Sequence, residues 1–416
     1  MNTKHQKKIT VVQINPLGAS LSTGRTTREL HNYLVSKGIN SLIVCPAQLD
    51  CDDAFFFSGK NQMRLDRVLS NISGLEGHFS RRPTKRLLKY FDKVKPDVVH
   101  IRILHSNYLN FKMLFSYLAK NNIATVITMH DMWFITGGCC YYTIQNCNNW
   151  LDGCKACARK KNTDYRALFV KSARLWREKQ ELLSAISRLA VVGVSKWVAE
   201  EAKRSPILKQ ARVSSIYNWI DHTIFYPRDA RDLRSSMQLE NKFVILGVSA
   251  AWMKGDRKGL DDYLALSKHL PENMRIVLIG KMAYDGNLPN NIISVPLIKD
   301  TGELAKYYSM ADVYLNLSRE ETFGKVSAEA LSCGTPIIAI DSTANRELVP
   351  DGGGVILQSA EVTDILQAIN FIKGQPKSSY EKICCDFSKN NFNAQTNIET
   401  YIDLYNQLLN DCDRRS

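Results

Sequence analysis

Short β-branched runs alternate with amphipathic stretches along the sequence, and the alternation stops once and starts again. ITVVQI (9–14), SLIVCP (41–46), PDVVHI (96–101), ATVITMH (124–130), LAVVGVS (189–195) and VSSIYN (213–218) form the first series. Polar text fills 221–242, and FVILGVS (243–249), RIVLIG (275–280), IISVP (292–296), DVYLNLS (312–318) and PIIAI (336–340) form the second. Strands apolar on both faces, separated by helix-period segments such as TTRELHNYLVSKG, require helices on both sides of a parallel sheet. The expected class is α/β, with two doubly wound Rossmann-like domains over residues 1–220 and 221–393. A C-terminal helix over about 394–412 is expected to pack back on the first domain. Ligands of such sheets bind at the carboxyl ends of the strands, so the expected site is an interdomain cleft. With 44% hydrophobic residues among 416, the chain holds enough apolar material for two cores.

Charge divides the chain differently. The formal net charge is +14, yet residues 1–220 carry 34 Lys+Arg against 15 Asp+Glu and the remainder is slightly acidic. The basic half implies an anionic partner, either nucleic acid or an anionic membrane surface. RRPTKRLLKYFDKVK (81–95) sets basic residues against Leu87, Leu88, Tyr90, Phe91 and Val94, the pattern of a basic amphipathic helix at a membrane interface. A second basic run covers 159–179. A zinc-bearing nucleic-acid-binding protein is the competing reading, but no recognition helix, RNP-type motif or aromatic–basic interleaving accompanies the charge. A nicotinamide-dependent oxidoreductase is disfavoured because neither series has G-x-G-x-x-G after its first strand. No uninterrupted apolar run reaches the ~18 residues of a membrane span. The short apolar start is not a signal-peptide core, and the chain reads as cytoplasmic, with reduced thiols.

The chemistry is most legible in SREETFGKVSAEALSCGTPIIAI (318–340). A strand ends near Ser318, acidic residues fill the turn, and a helix starts near Phe323–Gly324. The free N–H groups of that start form an anion site. Glu321 sits beside it, Glu329 lies further along the helix, and Gly334 ends it.

This stretch resembles the E-x7-E signature of glycosyltransferase family 4, the retaining GT-B enzymes. The resemblance extends to SIYNWIDHTIF (215–225), with Trp219 where the family usually has Gly, and to GVSAAWMKGDRKGLDDYL (247–264). VHIRILHSNYLN and ITMHDMWFITGGC resemble the branch that builds bacterial surface polysaccharides such as colanic acid, capsule and O-antigen. The resemblance implies a GT-B fold and transfer of a sugar from a UDP- or GDP-sugar donor to a lipid-linked or saccharide acceptor. It places Glu321 against the donor sugar and Glu329 on the ribose hydroxyls, beside Phe323 and Gly324. It gives Lys258 the diphosphate, with Arg257 and Lys325 as further cations, since the usual upstream Arg is replaced by SAAW. Such enzymes usually need no divalent metal for the reaction. His130 is implied to face the sugar and the acceptor, with Asp131 and His105 nearby. Gly18, with Gly24, is implied to shape the turn before the first helix. A lipid-linked acceptor would bring the basic half to the inner face of the cytoplasmic membrane, with no nucleic acid involved.

Five of the eleven cysteines fall in HDMWFITGGCCYYTIQNCNNWLDGCKAC (130–157). Cys139, Cys147, Cys154 and Cys157 follow the spacing C-x7-C-x6-C-x2-C, with Cys140 as the extra one. Four thiolates ending in CxxC can hold one structural zinc. The alternatives are a disulfide pair, disfavoured in a reducing cytoplasm, and a set of reduced, partly buried thiols without a ligand.

Overall fold

The structure is a computed structural model that describes residues 8–17, 21–46, 54–155, 157 and 168–410. The chain divides into two compact units: residues up to Ile216 together with those from Ile398 onward, and Tyr217–Asn397.

In the first unit β1 (Thr10–Ile14) leads to α1 (Leu21–Ser36), β2 (Asn40–Cys45) and the two-residue β3 (Phe55–Phe56). Next come α2 (Lys60–Ser73), α3 (Arg81–Val94), β4 (Val98–Ile101), α4 (Phe111–Lys120) and β5 (Ala124–Met129). Then follow α5 (Ser172–Ser184), β6 (Leu189–Gly193), α6 (Lys196–Arg204) and β7 (Arg212–Ser215). The strands pair in parallel in the order β3-β2-β1-β4-β5-β6-β7. Every residue of β1, β4, β5 and β6 is buried, as expected for strands covered on both faces. Local capping fits the sequence: Asn110 accepts from the Met113 N–H at the start of α4, and Ser195 from Val198 at the start of α6.

The second unit holds α7 (Arg231–Ser236), β8 (Phe243–Trp252), α8 (Leu260–Ser267), β9 (Met274–Met282) and β10 (Ile292–Val295). It continues with α9 (Thr301–Met310), β11 (Val313–Asn316), α10 (Lys325–Ser332), β12 (Ile337–Ile340), β13 (Gly354–Leu357), α11 (Val362–Lys373) and α12 (Ser378–Asn391). Its parallel sheet runs β10-β9-β8-β11-β12-β13. In each sheet the strand order reverses once, between β1 and β4 and between β8 and β11, and ligand sites of open α/β sheets lie at such points. β3 and β13 escape the sequence reading, because one has two residues and the other follows a glycine run.

The last helix, α13 (Ala394–Asn410), begins in the second unit and from Ile398 belongs to the first. There Tyr405 bonds the His100 Nδ1 at 2.7 Å, Thr128 Oγ1 bonds His100 Nε2 at 2.7 Å, and Tyr401 bonds Thr128 at 3.0 Å. Burial, then the nearby Arg102 charge, holds His100 well below the ordinary imidazole range, so this core network is neutral.

α3, whose amphipathicity suits either a membrane interface or the core, turns its apolar stripe inward. Leu87 and Phe91 have no exposed surface, while Arg81, Arg82, Lys85, Arg86 and Lys89 face solvent. Its apolar stripe packs on the unit's own core, and only its basic face is available.

Candidate active site

The carboxyl ends of β8 and β11 meet through their loops. After β8, which has a register shift between Val248 and Ala251, the chain turns at Gly255 and again at Gly259. Gly259 has φ +81°, and a Cβ there would meet the Leu317 carbonyl oxygen at 2.8 Å. This close approach presses the Arg257–Lys258 segment against the end of β11. The Arg319 N–H donates to the Arg257 carbonyl at 2.8 Å, and Arg257 Nη1 donates to the Glu320 carbonyl at 2.7 Å. Lys258 Nζ donates to the Glu321 carboxylate, joining the two loops by an ion pair. The two side chains are 22% and 11% exposed. Burial alone would raise the Glu321 pKa, but Lys258, with a contribution from Arg257, outweighs it and holds the carboxyl below its ordinary range. Glu321 is an anion at neutral pH. Its backbone is fixed from behind, where its N–H donates to Thr343 Oγ1 at 2.8 Å.

α10 starts at Lys325 with Gly324 as its N-cap, at φ +81°. A Cβ on Gly324 would stand 2.8 Å from Leu348 Cδ1, so the entry to the helix is set by backbone shape. Lys325 is the first helical residue and is half-buried. One turn on, Glu329 is buried and accepts from the Tyr308 hydroxyl of α9 at 3.0 Å. Phe323 turns its side chain inward. Its ring is 2% exposed and packs edge-on against Phe392 at 5.3 Å and tilted against Tyr217 at 6.1 Å, so the ring anchors the turn. The second unit thus brings together Arg257, Lys258 and Glu321, with Lys325 and Glu329 on the adjoining helix. Sequence reasoning missed Tyr308 and Thr343, ordinary residues that orient the two carboxyl-bearing positions from other elements.

In the first unit His130 directly follows β5, and Arg102 directly follows β4. Arg102 Nη1 lies 3.3 Å from His130 Nε2. Arg102 is 1% exposed, and burial lowers its pKa. It was also missed, although a charge inside the apolar run VHIRIL is a legible signal. His105 Nε2 bonds Asp131 Oδ2 at 2.8 Å, and the other Asp131 oxygen accepts from the Trp133 N–H at 2.8 Å. Burial would depress the His105 pKa, but Asp131 and then Cys140 push it up to about 11. Gly18 lies outside the described residues, and Gly24 falls inside α1 instead of bracketing the turn before it.

The cysteine loop is packed, not disulfide-linked: none of Cys139, Cys140, Cys147, Cys154 and Cys157 forms a disulfide. Lys179 of α5, fully buried, donates to the Thr136 carbonyl at 2.9 Å and sits 3.4 Å over the Trp133 ring. Trp176 donates to the Trp150 carbonyl at 2.8 Å, and Ser172 to the Cys154 carbonyl at 3.0 Å. The four cysteines expected to ligate zinc are not gathered as ligands. Among the described residues no three of their sulfurs come within 4.8 Å of one another. Cys154, turned inward at φ +54°, instead accepts the Gly137 N–H at 3.2 Å. The trio at ligand spacing is His105, Asp131 and Cys140, which includes the cysteine that the spacing sets aside.

Residues 23–224 match the family model described as Glycosyltransferase Family 4, and residues 230–394 match Glycosyl transferases group 1. The Escherichia coli K12 protein WcaC, assigned as a colanic acid biosynthesis glycosyl transferase, is 25% identical over 325 residues, covering 75% of this chain and 77% of that one. Among solved structures, a glycosyltransferase from Rickettsia africae superposes with a TM-score of 0.68 at 16% identity over 97% of this chain and 99% of its own. Anabaena HepE in complex with UDP-glucose superposes at 0.63 and 13% identity, over 96% and 100%. These likenesses give the GT-B fold, and neither competing reading gains support from them. The two family models between them account for both units, and the chain belongs to the glycosyltransferases of family 4.

Proposed function

We propose that the protein is a retaining glycosyltransferase that moves a sugar from a UDP- or GDP-sugar to a lipid-linked or saccharide acceptor in polysaccharide or O-antigen assembly. The observation that carries this reading is the Lys258–Glu321 pair at the strand-order reversal of the second sheet. A cation and an anion fixed side by side there match a donor whose diphosphate departs as its sugar gains positive charge. Lys258, with Arg257 and Lys325, receives the diphosphate. Glu321 faces the sugar and favours its oxocarbenium-like charge, and Glu329 accepts the ribose hydroxyls. The sugar–diphosphate C–O bond breaks, the acceptor oxygen bonds the same carbon on the same face, and the acceptor proton leaves on the diphosphate. Protein cations and the α10 N-terminus carry the leaving-group charge, so no divalent ion is required. In the first unit His130, oriented by Arg102, serves the acceptor hydroxyl. Anabaena HepE, solved in complex with UDP-glucose, is the precedent for a UDP-sugar donor on this fold.

The acceptor is read as lipid-linked because the first unit presents a surface suited to anionic lipid. On α2 Leu65, Val68 and Ile72 are 54%, 54% and 49% exposed along one stripe, and Leu168 and Phe169 stand beside it at 75% and 57%. The Leu168 N–H donates to the Asn71 carbonyl at 2.7 Å, which joins the two patches. With the basic face of α3, this makes a peripheral contact with the cytoplasmic leaflet. Among the described residues no helix is long and apolar enough to cross a membrane.

A panel of UDP- and GDP-sugars, read by thermal shift and donor hydrolysis with and without Glu321→Ala, tests the donor. Stabilisation by one nucleotide sugar and loss of its hydrolysis in the variant are expected. Binding of a duplex oligonucleotide with no response to any nucleotide sugar overturns the reading. Sedimentation with phosphatidylglycerol vesicles but not phosphatidylcholine vesicles, weakened by Leu65→Ser/Val68→Ser, tests the membrane contact.

A further inference from the structure

His105 lies in the loop after β4, Asp131 directly after β5, and Cys140 further along the cysteine loop. One imidazole nitrogen, one carboxylate oxygen and one thiol sulfur from these residues lie within 4.8 Å of one another. Tetrahedral zinc ligands at their usual bond lengths stand about 3.3–3.8 Å apart, so small side-chain shifts bring all three onto one ion. The donor set is selective. Thiolate and imidazole favour a borderline-soft ion such as zinc over the hard cations calcium and magnesium.

The backbone around the trio is built rather than incidental. Ser106 and Asn107, directly after His105, hold φ values of +93° and +57°. Two consecutive non-glycine residues in that region cost about 1–3 kcal/mol each, and such strain persists only where surrounding bonds enforce it. Here Ser80 Oγ donates to the Asn107 carbonyl at 3.2 Å, and the Ser106 N–H donates to Glu76 at 3.3 Å. The Met132 N–H holds the Cys140 carbonyl at 2.9 Å, and the Trp133 N–H holds Asp131 at 2.8 Å. The Trp133 indole returns to Glu76 at 3.0 Å, which closes the frame. Three loops are thereby fixed around one point. The His105 side chain is 25% exposed, which gives an ion a way in.

We infer that His105, Asp131 and Cys140 form a zinc site in the first unit, with three protein ligands and a fourth position open to an oxygen ligand. The ion ties the cysteine loop to the loop after β4, and Cys139, Cys147, Cys154 and Cys157 are not its ligands. Binding requires a thiolate and a neutral imidazole, so it releases protons.

The test uses the full chain, with zinc alone and cobalt(II) alone as probes. About one equivalent of zinc is expected on purified protein, with a thiolate-to-cobalt charge-transfer band in the cobalt form. Cys140→Ser and His105→Ala abolish both signals, while Cys147→Ser and Cys157→Ser keep them. A chelator lowers the Tm of the wild type and leaves that of Cys140→Ser unchanged. Two results overturn the inference: folded wild-type protein that takes up neither metal, or metal that survives Cys140→Ser and is lost with Cys147→Ser or Cys157→Ser. Neither measurement depends on glycosyl transfer, so the donor reading stands or falls separately.

Discussion

Breaking the Lys258–Glu321 pair from either side should have unequal costs in stability and similar costs in activity. Lys258→Met leaves a carboxylate with 11% side-chain exposure without its main cation. Removing one partner of a buried pair costs about 3–5 kcal/mol. Arg257 still acts on Glu321, so about 3 kcal/mol is expected, at the low end of that range. In a unit of this size that corresponds to a Tm shift of roughly 6–12 °C. Glu321→Gln removes the anion but keeps the shape, and Lys258, at 22% exposure, can reach water, so about 1 kcal/mol is expected. The double variant should recover most of the stability lost in Lys258→Met, because no uncompensated buried charge remains. Turnover should not recover. Each single variant removes a fixed charge from the reacting centre and is expected to lower kcat by about 10²–10³-fold, with the double variant at least as slow. Thermal unfolding and initial rates with the responding nucleotide sugar measure both quantities on one preparation. If the single variants unfold early yet turn over within about threefold of wild type, the pair is structural and the catalytic argument fails.

Glu329→Ala should raise the donor KM about tenfold or more with a smaller effect on kcat, since it removes a charged acceptor for hydroxyls away from the bond that breaks. Tyr308→Phe should give a weaker version of the same change in donor KM, because it only releases the Glu329 carboxylate from its 3.0 Å bond. Gly259→Ala should cost about 2 kcal/mol in thermal unfolding, because φ +81° is strained for an L side chain and the new Cβ meets the Leu317 carbonyl at 2.8 Å. Lys377 supplies a pH test: burial pushes its pKa down to about 8 from 10.5, so the unfolded chain binds more protons between those values. Stability of the second unit should therefore gain a rising component from pH 8 to 10.5 and none from this group below pH 8, and Lys377→Met should remove that component.

The second-unit site was legible because its parts lie in two short, contiguous segments. Arg257 and Lys258 precede a glycine, and Glu321 to Glu329 span one turn and one short helix. A glycine at φ +81° heads each of α8 and α10, so the sequence carries the backbone shape as well as the reactive groups. The packing of the Phe323 ring was not legible, for a local reason. A motif gives position along the chain, but the direction of an aromatic ring depends on what surrounds it, here Phe392 and Tyr217. α3 shows the same limit on a larger scale. Amphipathicity shows that an apolar stripe must be covered, yet core and lipid cover it equally well. The exposed stripe proved to be on α2, whose Leu65, Val68 and Ile72 repeat at helical spacing without standing out in composition.

The cysteine loop was the least legible part, and the reason bears on how metal sites are read from sequence. Spacing rules work when the ligands belong to one compact segment whose turns bring them together, as in CxxC. In residues 130–157 the intervening chain is committed elsewhere: the Trp150 carbonyl accepts from the Trp176 indole, Cys154 takes the Gly137 N–H, and Lys179 caps the Trp133 and Thr136 carbonyls. The groups that do converge come from the ends of two adjacent parallel strands, β4 and β5, and one returning loop. No linear spacing encodes that convergence, because the register of the sheet produces it. His105 and Asp131 were expected as acceptor-side residues, and their juxtaposition with Cys140 turns two isolated candidates into one cluster at ligand spacing.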